Sequence, residues 1–295
     1  MSLTCTRPKA AYHGWRFYWI NLLHRSDRRK RMMDQFARLG ITNHVRIDGV
    51  YAATPAGEVP TYAGCIQSHL RAVTAASLDG MDADDAVAVF LEDDIVLTEA
   101  SLQALQTCLA ALPPDWEVFQ AHVIIPSLYE AVLQKIEKTG IRPPNHLLRG
   151  FFMSAAAYVM CARGIHRFMT SRLRPPAHLV SPTFDFVVDG RPVIPELVVY
   201  QAMNVYTTLY SVTNTDETVP ADNDHMEATK RQPLINYRNM LLVDRIFKSG
   251  VEVGRLANRI IDIPPLCHWF DCAATASCFL DPIWSSSIHV DSDKT

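Results

Sequence analysis

The chain has no apolar run long enough to cross a bilayer, which takes about 20 mostly apolar residues. Its nearest approach, residues 194–212, is interrupted by Glu196, Gln201 and Asn204. No compact apolar core follows the first residues, which argues against a secretory signal, and no Asn-x-Ser/Thr sequon occurs. The 7 cysteines are scattered and odd in number, which suits mostly free thiols in a reducing compartment better than a disulfide framework. These absences lead to the expectation of a cytoplasmic protein. An excess of one charge is missing too. The net charge is -3, so no nucleic-acid partner is expected, and the basic run from Arg25 to Arg31 falls on a predicted helix.

The common nucleotide and hydrolase motifs are also missing. No Gly-x-Gly-x-x-Gly follows the first predicted strand, which removes the dinucleotide fingerprint. There is no Walker A loop, no His-Glu-x-x-His and no Gly-x-Ser-x-Gly. No internal repeat appears. Any catalytic site must be built from other parts.

What is present is an alternation of short apolar strands and amphipathic helices. Residues 17–22 and 45–47 read as strands. The helix between them is capped by Ser26 or Asp27, carries Met32, Met33, Phe36 and Leu39 at helical spacing, and stops at Gly40. Helices are predicted over 65–77, 102–109, 129–139 and 165–173, and strands over 86–91, 116–119 and 151–160. This pattern predicts an α/β fold with a mostly parallel, Rossmann-like sheet flanked by helices. The expected division is a lead-in at 1–15, a catalytic domain at 16–220, and a helical extension with an irregular tail at 221–295. In the extension, Met240, Leu241, Val243, Ile246, Phe247, Val251, Val253 and Leu256 fall at helical spacing among arginines and lysines. The segment 236–259 could therefore lie on an anionic membrane surface, pack on the catalytic domain or meet a partner chain. The tail holds Cys267, His268, Cys272 and Cys278, whose irregular spacing suits ordinary thiols better than a zinc site.

One stretch concentrates the chemistry. The apolar run Ala86-Val-Ala-Val-Phe90-Leu91 ends on Glu92, Asp93 and Asp94. Ligands of open α/β sheets bind beyond the carboxyl ends of strands, and three adjacent carboxylates repel one another unless positive charge intervenes. A hard divalent cation taking oxygen ligands and shared with a phosphate would supply that charge. In extended chain Glu92 and Asp94 point one way and Asp93 the other. Asp82-Ala83-Asp84 precedes the strand, at the wrong end of the sheet, and reads as a solvated loop.

Four segments, in order, resemble glycosyltransferase family 25, the lipooligosaccharide and collagen galactosyltransferase group. They are Tyr18-Trp-Ile-Asn21-Leu22 with Asp27-Arg28-Arg29, then Gly64-Cys65-Ile-Gln-Ser68-His69, then Phe90-Leu91-Glu92-Asp93-Asp94, and finally Ala157-Tyr158-Val-Met followed by Pro182-Thr-Phe-Asp185. The resemblance covers about residues 16–215. It implies a GT-A fold, a divalent metal (manganese, or magnesium), a UDP-sugar donor and a glycan or glycoconjugate acceptor, with inverting transfer of galactose the reading adopted. It places the metal on Asp94 and Glu92, and the donor near Asn21, Arg28, Ser68, His69, Glu92 and Asp93. Asp185 would act as general base, with Asp189 and Glu196 in reserve. Cys65 reads as a small packing residue. The family shows Gly-Glu before its Gly-Cys signature, whereas Thr61-Tyr62-Ala63 stands here and His24 replaces a common acid. These departures motivate an alternative: a catalytically inactive, glycosyltransferase-like binding or scaffold protein.

Overall fold

The computed structural model describes residues 12–51, 62–81, 86–142, 145–170, 187–188, 191–192, 195–200, 203–216, 242 and 256–263. The fold is α/β. Strands β1 (Arg16–Asn21), β2 (His44–Asp48), β3 (Val87–Glu92), β5 (Val118–Gln120), β6 (Asn145–Arg149), β7 (Ala157–Cys161), β10 (Val205–Thr208) and β12 (Leu256–Asp262) form one sheet in the order β12-β6-β10-β5-β7-β3-β1-β2. β1 runs parallel to β2 and β3, β10 parallel to β5, and β12 parallel to β6. β7 is antiparallel to both neighbours, β3 and β5, and β6 is antiparallel to β10, so the sheet is mixed. Two-stranded pairings are added by β4 (Ile95–Val96) with β11 (Asn214–Thr215) and by β8 (Val187–Val188) with β9 (Arg191–Pro192).

Strand alternation divides the core between the two faces of the sheet. Phe17, Trp19, Val87, Val89 and Leu91 face one side. They pack with Met32 and Phe36 of α1 (Ser26–Arg38), Leu102, Leu105 and Leu109 of α3 (Glu99–Ala111), and Tyr129 and Val132 of α4 (Pro126–Thr139). Tyr18, Ile20, Ala88 and Phe90 face the other. There they meet Ala72, Val73 and Ala76 of α2 (Tyr62–Leu78), Ile165 and Phe168 of α5 (Ala162–Thr170), and Val199 and Tyr200 of α6 (Pro195–Tyr200). Phe90 stacks between Tyr18 and Tyr158 at centroid distances of 5.5 and 4.9 Å. Burying such an aromatic contributes about 2 kcal/mol. No helix among the described residues is long and apolar enough to cross a membrane.

Several local expectations change. The cap of α1 is Arg25, with no side-chain cap bond, rather than Ser26 or Asp27. Gly40 closes that helix as expected, at φ 66. The late strand starts at Ala157 rather than Phe151, because Gly150 and Ser154 adopt φ of 122 and 113 and break any extended run before it. β6 and β10 were not legible in the sequence, nor was the helical state of 195–200. The helical reading of 236–259 fails at its end: Leu256–Asp262 is an edge strand of the main sheet, and Ile261 and Ile263 lie in its core. Those residues therefore belong with the domain drawn as 16–220. Leu242 is buried in the same core. The remainder of 236–255 and the tail cysteines lie outside the described residues. Cys65 and Cys108 are free, as expected, whereas Cys161 is disulfide-bonded.

α5 packs directly on the backbone leading into β5. A Cβ at Gly164 would stand 2.2 Å from the Glu117 carbonyl oxygen. Gly164→Ala is expected to destabilise the fold by about 2–3 kcal/mol in urea unfolding, because backbone cannot yield as a side chain can. Gly140→Ala, in open space at φ +70, should lose only about 1 kcal/mol through its left-handed conformation.

Candidate active site at the carboxyl ends of β1 and β3

β3 ends on Glu92, and Asp93 and Asp94 form the turn into β4. The turn is held from outside. The Asp216 amide donates to the Asp94 carbonyl at 2.7 Å, and Arg31 donates to the Asp93 carbonyl at 2.9 Å while pairing with Asp216. Its three carboxylates then take three directions.

Asp93 and Asp94 lie in a turn rather than in extended chain, so the strand alternation expected to set Glu92 and Asp94 on one side does not apply to them. Asp93 is buried, and it accepts from Asn21 Nδ2 at 2.7 Å and from Arg28 at 2.8 Å. Burial raises its proton affinity against the pull of Arg28 and Asn21. Asn21 was expected to face a nucleotide. Its amide instead donates to Asp93 and to the Arg25 carbonyl, and its oxygen accepts from Arg29 and Arg46. Both protons and both lone pairs are thus used within the protein, and Asn21 acts as the hub that orients Asp93. Arg28 is likewise engaged. It lies 3.7 Å from Asp94 as well as bonding Asp93. Burial opposes its charge, but Asp94 and Asp93 together raise its pKa. Its role is to neutralise the acidic turn from within.

Asp94 is partly buried, with its side chain 23% accessible. Burial first, and then the charge of Glu92, push its pKa up to about 7. Its Oδ1 is shielded from solvent and has no hydrogen-bond partner among the described residues. Such an oxygen fits a hard cation.

Glu92 turns to α2. Its Oε1 lies 3.2 Å from His69 Nε2 and accepts from the Cys65 thiol at 3.5 Å. Burial opposes its charge, yet His69 holds its carboxyl below the usual range. His69 is buried, and its other ring nitrogen is 3.2 Å from the Tyr158 hydroxyl. Ser68 does not face a donor: its hydroxyl donates to the Gly64 carbonyl at 2.7 Å and accepts from the Val50 amide at 2.8 Å. Cys65 is more than packing. Burial, then Glu92 and Glu196, raise its thiol pKa, and its sulfur converges on the same oxygen as His69. The spacing of Cys65 and His69, one helical turn apart, was the available signal.

A second polar group was visible in the sequence only through Glu196. Ser154, strained at φ 113, places its hydroxyl 2.6 Å from His122 Nδ1. Glu196 accepts from its amide at 2.8 Å, and Gln120 and the Tyr200 hydroxyl donate to its carbonyl at 2.7 and 3.0 Å. Burial raises the pKa of Glu196, and the charges of Glu92 and His69 reach it. Asp185 and Asp189 lie outside the described residues, as do Asp82 and Asp84.

No protein-family model matches the chain, and no curated protein matches it.

His122 gives this region a pH signature. Burial lowers its pKa from 6.5 to about 4. Above pH 6.5 both folded and unfolded chains hold it neutral, so it has no effect. Between 6.5 and 4 only the unfolded chain takes up the proton, and roughly 3 kcal/mol of stability is lost through that window. His122→Gln is expected to remove this component. The check is urea unfolding of both proteins across the same window, where a difference independent of pH would contradict it.

Proposed function

We propose that the chain is a metal-dependent glycosyltransferase that moves a sugar, galactose by preference, from UDP-sugar to a glycan or glycoconjugate acceptor with inversion. The observation that carries this reading is the unpartnered, shielded Oδ1 of Asp94, set beside Glu92 at the carboxyl end of β3. Asp94 and Glu92 would hold manganese or magnesium, which would neutralise the diphosphate leaving group. Arg28, Asn21 and Arg31 contribute by fixing the acidic turn rather than by reaching the nucleotide. Asn21, Ser68 and Asp93 are therefore assigned positioning roles in place of donor contact.

The four segments resembling family 25 support the donor class, and the mixed α/β sheet is compatible with a GT-A fold. The base role of Asp185 rests on that resemblance. Among the described residues, Glu196 offers a buried carboxylate of raised proton affinity. A cytoplasmic setting belongs to the same proposal. One observation favours the inactive, scaffold-like alternative: Arg28 already supplies a cation to Asp93 and Asp94.

Calorimetry with UDP and manganese separates the two. The wild type is expected to bind UDP only with the metal present, and Asp94→Asn to weaken that binding at least about tenfold. Equal binding by both proteins would remove Asp94 from the site. Absence of any metal-dependent binding would favour the scaffold reading.

A further inference from the structure

The carboxylate of Glu92 has two kinds of neighbour. On one side stands Asp94, an oxygen donor. On the other stand a thiol and an imidazole, both carried by α2. Residues four apart on a helix share a face, so Cys65 and His69 present their sulfur and Nε2 together toward the end of β3. The sulfur, the nitrogen and a Glu92 carboxylate oxygen all lie within 4.8 Å of one another.

We infer that Cys65, His69 and Glu92 form a binding site for a zinc-type divalent ion, distinct in chemistry from the manganese or magnesium position at Asp94. This inference does not depend on the transferase reading, although Glu92 is common to both.

The geometry supports the ion on three counts. Bond lengths for tetrahedral zinc put a sulfur and an oxygen ligand about 3.6 Å apart, and a nitrogen and an oxygen ligand about 3.4 Å apart. The observed separations are 3.5 Å from Cys65 Sγ to Glu92 Oε1 and 3.2 Å from His69 Nε2 to the same atom. Little rearrangement is needed for these two edges to hold an ion. The imidazole is also oriented from behind. Its Nδ1 lies 3.2 Å from the Tyr158 hydroxyl, and Tyr158 is locked by its stack on Phe90. A histidine that ligates through Nε2 commonly has its other nitrogen held in this way. Finally, the donor set is selective. Thiolate and imidazole suit zinc and its late first-row neighbours, whereas magnesium and manganese prefer oxygen.

The ligands must be deprotonated to bind. The thiol hydrogen directed at Glu92 leaves to solvent, and the imidazole offers its Nε2 lone pair. No fourth histidine, cysteine or acid joins the group among the described residues. Three protein ligands with one position left over is the arrangement of sites that take water or a substrate oxygen, rather than of closed structural sites.

The test uses the full chain, stripped with a chelator and then titrated with cobalt. One cobalt per chain is expected, with the charge-transfer absorption of a cobalt–thiolate bond, displaced by zinc. Cys65→Ser should abolish that absorption, and His69→Gln should weaken cobalt binding at least about tenfold. Asp94→Asn should leave the cobalt spectrum intact while losing manganese-dependent UDP binding. That outcome separates the two sites, and failure of UDP binding beside an intact cobalt spectrum would count against the transferase alone. No thiolate absorption in the wild type, or absorption that survives Cys65→Ser, would overturn the inference. X-ray absorption of the zinc-loaded wild type covers the case of a variant that does not fold. One sulfur at about 2.3 Å is expected, and a sulfur-free shell would overturn the site.

Discussion

The carboxylate of Asp93 lies buried between Asn21, the last residue of β1, and Arg28, in the first turns of α1. Three elements that begin far apart in the chain meet there. A buried acid is tolerated only with an opposite charge and full hydrogen bonding, and removing one partner of such a pair costs about 3–5 kcal/mol. Arg28 supplies the charge, and Asn21 both bonds the acid and gathers Arg25, Arg29 and Arg46 around it. These bonds hold the turn after β3 in place. With Asp93 held inward, Glu92 and Asp94 are fixed on either side of it.

That constraint sorts the acids by partner. Asp94 keeps an oxygen without a hydrogen-bond partner, next to a carboxylate that repels it. Glu92 is drawn to α2, where a sulfur and an imidazole stand ready. Hard and soft donors are thus set side by side at the end of one strand. The helix α2 can approach closely because Ala72, Val73 and Ala76 keep it low on the sheet, against Tyr18 and Phe90. Behind these groups, the Ser154 turn packs Glu196, Gln120, His122 and Tyr200 into a second polar layer. The positive φ of Ser154 is retained because every polar atom of that residue has a partner.

Legibility in the sequence followed the length and regularity of each element. β1, α1, α2, β3, α3 and α4 carry periodic apolar residues, and their places were evident. β6 and β10 carry polar residues (Asn145, His146, Thr207 and Thr208) that break up any apolar run, and β12 was hidden in a segment whose apolar residues also fit helical spacing. The acidic tip was legible because an apolar strand ending on three acids is unusual. The partners of those acids were not. Asn21 and Ser68 looked like ligand contacts and are internal hydrogen-bonding residues, whereas Cys65 looked like packing and faces Glu92. His122 and Ser154 carried no local signal at all, since what brings them together is the pairing of β5 with β7.

The alternating α/β elements, the faces they bury and the strand that ends on Glu92, Asp93 and Asp94 are all readable along the chain. Those properties depend on local preference and on the periodicity of apolar residues, both written in consecutive positions. Which acid is neutralised, which oxygen stays without a partner and which helix supplies sulfur and nitrogen to Glu92 follow from the folded arrangement. Hydrogen bonding and ion pairing act through space over a few ångströms, between residues as far apart as Asn21 and Asp93. No pattern along the chain encodes their meeting until the sheet has set the strands side by side.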